Sequence, residues 1–184
     1  MRFRFLLSAI FLLGVSSLFA ELRVPHVFGD HMVVQCDKPV RVWGWAVAGK
    51  KVEVELGDRK ASATANAQGE WLAMLEPMKA SFTASDLKIT SGNKKKVFED
   101  VLVGEVWLCG GQSNMEWTLS GTLNADVEID SADSPAVRCL RVPKIASGQT
   151  KDDFPIGEGG EHGGRWMKAT PEEEKIMTVT NFMV

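Results

Sequence analysis

Between residues 22 and 103 apolar and polar residues alternate in short bursts. In Val40–Trp45, Val40, Val42 and Gly44 fall on one side and Arg41, Trp43 and Trp45 on the other. In the next burst Val52, Val54 and Leu56 share a face. Further candidates are residues 32–36, 60–65, 70–75 and 87–90. Turn residues separate them: Asp37-Lys38-Pro39, Ala48-Gly49-Lys50, Gly57-Asp58, Asn66-Ala67-Gln68-Gly69 and Ser91-Gly92-Asn93. Successive side chains of a strand point to opposite faces, so period two marks a half-buried strand. Short strands at roughly 8–12-residue spacing, with no helical stripe between them, predict a β-sandwich.

The pattern changes near Asp100. Residues 101–109 form a mostly apolar run without clean alternation, as expected of a strand covered on both faces in a parallel sheet. Gly110-Gly111-Gln112-Ser113 breaks it. A weakly helical stretch follows at Ala125–Ala132, then a second strand over Ala136–Val142. Strand, crossover and strand predict a β-α-β unit. Residues 143–165 are rich in Gly, Asp and Glu and have no period, so they read as loop. Thr170-Pro171-Glu172-Glu173 has the form of a helix start, with Thr170 as N-cap, Pro171 in the first turn and Glu173 closing a capping box. Two parallel strands do not make a stable sheet, so this second part is expected to be incomplete in the chain.

The start of the chain sets the expected compartment. Arg2 and Arg4 precede an apolar run from Phe5 to Val15, and small or apolar residues lead to Ala20 before the charged Glu21. That order describes a secretory signal peptide cleaved after Ala20, giving a secreted or periplasmic protein with no membrane span once the signal is removed. The apolar run is shorter than the roughly 20 residues a membrane-spanning helix needs. Removing residues 1–20 takes away two arginines and no acids. The 21 Lys and Arg fall to 19 against 24 Asp and Glu, a net charge of −5 with His neutral. Such a chain has no electrostatic basis for binding nucleic acid. Cys36, Cys109 and Cys139 are odd in number and form no Cys-x-x-Cys pair, which argues against a disulfide scaffold and against a zinc site. No metal or cofactor motif is present, and the expectation is that the protein needs neither.

The chemically informative segment is Gly110-Gly111-Gln112-Ser113-Asn114-Met115-Glu116-Trp117. Its plain structural reading is a turn followed by a helix, with Ser113 and Glu116 as a capping box. Its position points further. A Ser just past the carboxyl end of a buried strand stands where ligands bind in open α/β sheets. Free backbone N–H groups at a helix start can stabilise an oxyanion. The turn is not the Gly-x-Ser-x-Gly elbow, because Met115 stands where the second Gly belongs.

The run Val103-Gly104-Glu105-Val106-Trp107-Leu108-Cys109 through Gly110–Trp117 resembles the nucleophile block of the sialate O-acetylesterase family. These are SGNH-type hydrolases related to acetyl-xylan esterases. Phe28-Gly29-Asp30-His31-Met32-Val33-Val34-Gln35 resembles the family's opening segment, and Val42–Ala46, Gly69-Glu70-Trp71 and Arg165-Trp166 resemble later parts of it. The resemblance implies an Ig-like or jelly-roll-like β-sandwich over residues 21–103, then the beginning of a flavodoxin-like α/β domain over 104–184. It implies an O-acetylated sugar as substrate, an ester of sialic acid first and acetylated plant polysaccharide second. It makes Ser113 the nucleophile and its backbone N–H an oxyanion donor, with Gly111, Gln112 and Asn114 shaping the turn and pocket.

A serine nucleophile needs a base oriented by a third group. The family supplies these from an Asp-x-x-His segment, which this sequence lacks. Position minus three from His26, His31 and His162 is Arg23, Phe28 and Gly159. The base and its carboxylate are therefore expected to be absent, and the chain alone inactive. His162 reads as a solvated loop residue, and His26 and His31 as structural or exposed. Trp43, Trp45 and Trp71 read first as core or cross-strand packing and second as a sugar-stacking surface. The rival from another class is a non-catalytic sugar-binding or interaction module, in which Ser113 only caps a helix. Nothing in the sequence bears on oligomeric state. The export reading has a direct check. Expressed from its own start, the protein should leave the cytoplasm with Glu21 as its new N-terminus. Edman sequencing that returned Met1 from soluble cytoplasmic protein would refute it.

Overall fold

A computed structural model describes residues 21–111, 113, 117–131, 133–143, 145–156 and 164–171. Strands dominate them. A five-stranded sheet has the order β1-β7-β6-β3-β4, from Val33–Gln35 (β1), Lys51–Leu56 (β3), Arg59–Thr64 (β4), Ser81–Ser91 (β6) and Lys94–Gly104 (β7). A two-stranded sheet pairs Val40–Trp45 (β2) with Glu70–Leu75 (β5). Strand β1 runs parallel to β7, with Val33 opposite Leu102, while the other pairs within these sheets are antiparallel.

The two sheets share one core, as the alternation requires. Val40, Val42, Trp71, Ala73 and Leu75 from the small sheet meet Val52, Val54, Leu56, Leu87, Ile89 and Val101 from the large one. Leu87, Ile89, Val42, Val52 and Leu75 have no exposed surface at all. Burying each such side chain favours the folded state by about 1.5–3 kcal/mol. This cluster is therefore what holds residues 22–103 together.

Strands β2, β3 and β5 coincide with the alternating bursts of the sequence. Strands β6 and β7 are longer than the pattern suggests. Ser81 pairs with Val103 ahead of a register shift that runs to Ser85, and Lys94 and Lys95 pair with Ser91 and Thr90; Ser81–Ala84 and Lys94–Lys95 are exposed to solvent, so no apolar face announces them.

Beyond Gly104 the chain departs from the expected β-α-β unit. Only Val101–Gly104 of the apolar run lies in a strand, as the end of β7. Residues 105–109 join no sheet among the described residues, and Leu108 is 100% exposed. A short helix covers Ala125–Ser131 (α1). It is followed by Ser134–Leu140 (β8), which pairs antiparallel with Trp166–Ala169 (β9). The physical reason is cover. A strand buried on both faces needs neighbours in its sheet and helices above and below. The described residues lay none of these over 105–109, whereas β8 finds an antiparallel partner. Pro171 is helical as expected, and residues 172–184 lie outside the described residues.

Gly44 shows how tightly the opening segment is sewn to β2. Arg23 N donates to Trp45 O at 2.9 Å, and Trp45 N to Arg23 O at 2.7 Å. A Cβ on Gly44 would lie 2.1 Å from Arg23 O and 3.0 Å from Val24 Cα. Both neighbours are backbone and cannot rotate away. Gly44→Ala should cost about 1–3 kcal/mol, as overpacking does, measured as a lower midpoint in urea unfolding. An unchanged midpoint would show that this bridge contributes nothing to stability.

Candidate active-site segment

Strand β7 delivers the chain to the segment around Ser113, and its exit is fixed by β1. Cys36 N donates to Gly104 O at 2.9 Å. The Gln35 amide then brackets the next two residues: Nε2 donates to Glu105 Oε2 at 3.0 Å, and Oε1 accepts from Val106 N at 3.0 Å. The buried Cys36 thiol reaches Glu105 Oε1 at 3.4 Å. Hydrogen bonds from Gln35 and Cys36 hold the Glu105 carboxyl below its usual range. Burial, then the Glu105 hydrogen bond and charge, push the Cys36 thiol up, so it stays protonated.

After Val106 the anchoring stops. Trp107 is 68% exposed, and Cys109, Gly110 and Gly111 are exposed. Ser113 is exposed and forms no hydrogen bond with a described residue. Gln112, Asn114, Met115 and Glu116 lie outside the described residues. The chain resumes at Trp117, whose indole N–H donates to Gly121 O at 3.0 Å across a 3-10 turn at Leu119–Gly121. Trp117 is exposed as well.

Both described histidines are engaged elsewhere. His26 Nδ1 donates to Phe154 O at 2.5 Å and lies 3.1 Å from Asp153 Oδ2, while Asp153 also accepts from His26 N. His31 Nδ1 donates to Asp100 Oδ2 at 2.7 Å. A ring that donates Nδ1–H to a carboxylate is the oriented base of a serine triad in outline. Neither ring bonds to Ser113, and Asp100 serves more than one partner. Lys168 Nζ lies 2.6 Å from its Oδ2 and Arg138 Nη2 3.3 Å. His162 lies outside the described residues.

This ion cluster was invisible in the sequence, because its members come from residues 31, 100, 138 and 168. It ties the β8–β9 hairpin to the end of β7. His31 and Asp100 both adopt left-handed backbone, at φ 66° and 56°. Arg138 is 4% exposed, and its Nε and Nη1 have no partner among the described residues. Partial burial pushes the Asp100 carboxyl up, but hydrogen bonds from Lys168 and His31, with the charges of Arg138 and Lys168, outweigh it and hold the group below the carboxylate range. On β8, burial, with the nearby Cys109, pushes the Cys139 thiol up to about 11. Among the described residues no cluster of His, Cys, Asp and Glu is arranged to hold a metal, and no helix is long and apolar enough to cross a membrane.

Comparison with known proteins places these features in a lineage. Mouse sialate O-acetylesterase is 33% identical over 136 residues, 68% of this chain and 25% of the mouse protein. The human enzyme is 31% identical over 123 residues, 61% of the chain and 24% of that protein. Over the matched residues this chain is a homologue of the sialate O-acetylesterases. Among solved structures, a carbohydrate acetylesterase from Xanthomonas citri superposes with a TM-score of 0.80 at 30% identity, covering 88% of this chain and 35% of that one. The chain spans about a quarter of the length of the curated relatives it matches. No protein-family model matches it.

The Asp100 cluster has a pH signature. A carboxyl held low in the folded state stabilises it above the unfolded value of about 3.9, and that stability is lost as pH falls through the folded value. Asn tolerates left-handed backbone, so Asp100→Asn removes the charge without forcing the turn. It should lower stability at neutral pH by about 1–2 kcal/mol and flatten the acid limb below about pH 4. Urea unfolding from pH 7 to pH 2 would read both; parallel curves for the two proteins would refute the assignment.

Proposed function

We propose that this chain carries the nucleophile segment of a secreted serine esterase that removes acetyl groups from sugars. The observation that supports it is kinship at 30–33% identity, in sequence and in fold, to enzymes named for that reaction. In this reading residues 21–103 are a β-sandwich, and residues 104–184 belong to an SGNH-type α/β domain in which 105–109 becomes a covered strand. Sialic acid esters are the first substrate and acetylated plant polysaccharide the second.

Ser113 Oγ attacks the acetyl carbonyl, and its proton passes to a base. The Ser113 N–H steadies the oxyanion, and Gly111, Gln112 and Asn114 shape the turn that presents it. The sugar leaves as an alcohol and takes up the proton. Water then attacks the acetyl-serine, releasing acetate and restoring the hydroxyl. The base and its carboxylate are not among this chain's histidines. His26 and His31 are spent on Asp153 and Asp100, and His162 sits in a Gly-rich stretch with no Asp three residues before it.

A chimera tests this reading. Residues 21–184 would replace the matching part of the Xanthomonas citri acetylesterase, which supplies the rest of the domain. The chimera should release acetate from acetylated sugars, and Ser113→Ala should lower its turnover on the order of a millionfold. The chain alone should show no Ser113-dependent hydrolysis. A chimera that keeps its activity with Ser113→Ala would sink the nucleophile assignment.

A further inference from the structure

The outer face of the two-stranded sheet sets apolar side chains among charged and polar ones. Register places Trp43 beside Leu72 and Arg41 beside Met74. All four are exposed, with Trp43 at 39%. A shallow depression of about 550 Å³ lies here, lined by Arg41, Trp43, Asn66, Glu70, Trp71 and Leu72. Its parts are held in place. The Phe28 ring meets the Trp43 ring edge-on, with centroids 4.9 Å apart at 71°. Asn66 Nδ2 donates to Glu70 Oε2 at 3.0 Å, and Asn66 Oδ1 accepts from Gln68 N and Glu70 N, which fixes the rim. The Arg41 guanidinium makes no hydrogen bond or ion pair with any described residue. Trp71, itself buried, leaves an indole N–H without an acceptor among the described residues.

From this arrangement we infer that the outer face of β2 and β5 binds sugar, seating one pyranose unit of an oligosaccharide on Trp43. A pyranose ring is amphipathic: its axial C–H bonds make an apolar face, and hydroxyls ring its edge. The Trp43 indole offers a rigid apolar plate with few rotamers to lose. Around it stand the five donors of Arg41, the Glu70 carboxylate as acceptor and the remaining N–H of the Asn66 amide as donor. A protein partner would suit this face less well. The apolar area is only Trp43, Leu72 and Met74, and it is interleaved with charge, whereas the buried centre of a protein interface is depleted of charged residues. The openness of the depression fits a chain lying across it and not a small molecule engulfed by it.

The inference takes its ligand class from the esterase reading and needs nothing of Ser113. It makes this face a second grip on a polymeric substrate, separate from the segment that carries the serine. Binding at two linked points raises effective concentration without any new catalytic contact.

The test is a titration of the chain with xylohexaose and, separately, with 3′-sialyllactose, followed by NMR at the indole N–H signals. Trp43 should shift and saturate with a Kd on the order of 1 mM for at least one sugar. Trp43→Ala should weaken binding about tenfold or more, as loss of an aromatic contact does. Because Trp43 also packs on Phe28, Arg41→Ala is the companion variant. Its side chain is in solvent, so the fold survives, and binding should again weaken. Ser113→Ala should bind as tightly as the parent. A neutral-sugar response would place the ligand among plant-type polysaccharides, and a response to 3′-sialyllactose alone among sialylated glycans; either supports a sugar site here. No saturable shift with either sugar, or binding indifferent to both Trp43→Ala and Arg41→Ala, would overturn the inference. If binding survives while the chimera proves inactive, this surface stands and the esterase reading falls.

Discussion

The Asp100 carboxylate is where the two parts of the described chain are joined. One side chain at the bend of β7 accepts from His31, which lies just before β1, and from Arg138 and Lys168, which belong to the β8–β9 hairpin. Without that anion, the Lys168 ammonium and the buried Arg138 guanidinium would be left uncompensated beside each other. The hairpin would lose its electrostatic tie to the sheet. The cost of gathering these charges is visible in the backbone, since His31 and Asp100 both sit in left-handed conformations that most residues avoid. His31 N donates to Glu99 O and Asp30 Oδ1 accepts from Glu99 N, and these bonds hold both bends in place. A second tie, from Asp153 to His26 and from the Trp166 indole to Val27 O, runs from the later segment to the same opening stretch. Residues 23–31 are thus bonded to β2 on one side and to Asp153, Phe154 and Trp166 on the other.

That arrangement explains which parts of the molecule could be read from its sequence. Strands β2, β3 and β5 each bury one face in the shared core, so burial writes period two into their residues. The outer halves of β6 and β7 bury little. Phe82 is 88% exposed and falls where the β6–β7 register shifts, while Lys94 and Lys95 face water and are strand only through their pairing with Ser91 and Thr90. Composition cannot signal a hydrogen-bond partner that lies across a hairpin. Residues 101–109 failed for a different reason. An apolar run states that it needs cover, but not what supplies it. The first four residues find cover in β7, and the next five find none among the described residues. The Asp100 cluster left no local trace, because its successive members are 30 to 69 positions apart and each is an ordinary polar or charged residue by itself. The tryptophans divide by position: Trp71 packs in the core, Trp45 lies half-buried under Arg23 at 4.2 Å, and Trp43 alone of the three is exposed.

Ser113 is the residue on which sequence and structure say the most different things. The motif around it is specific and names a role, while the described residues give it neither a base nor a packed setting. A catalytic group must be held within about 0.5 Å of its working position by neighbours that cannot move. Here the holding ends abruptly. Glu105 and Val106 are bracketed by Gln35, and one residue later the chain carries a mostly exposed Trp and then a fully exposed Leu. Burying such side chains is worth about 1.5–3 kcal/mol each, so the run 107–109 stores favourable free energy that the described residues do not collect. The contacts that collect it are the same ones that would fix the turn at Ser113, because the segment is continuous and short. Ordering of the turn at Ser113 and burial of Trp107 and Leu108 would therefore be one event. Gln35 sets where that segment starts, and whatever covers the apolar run sets where the serine hydroxyl points.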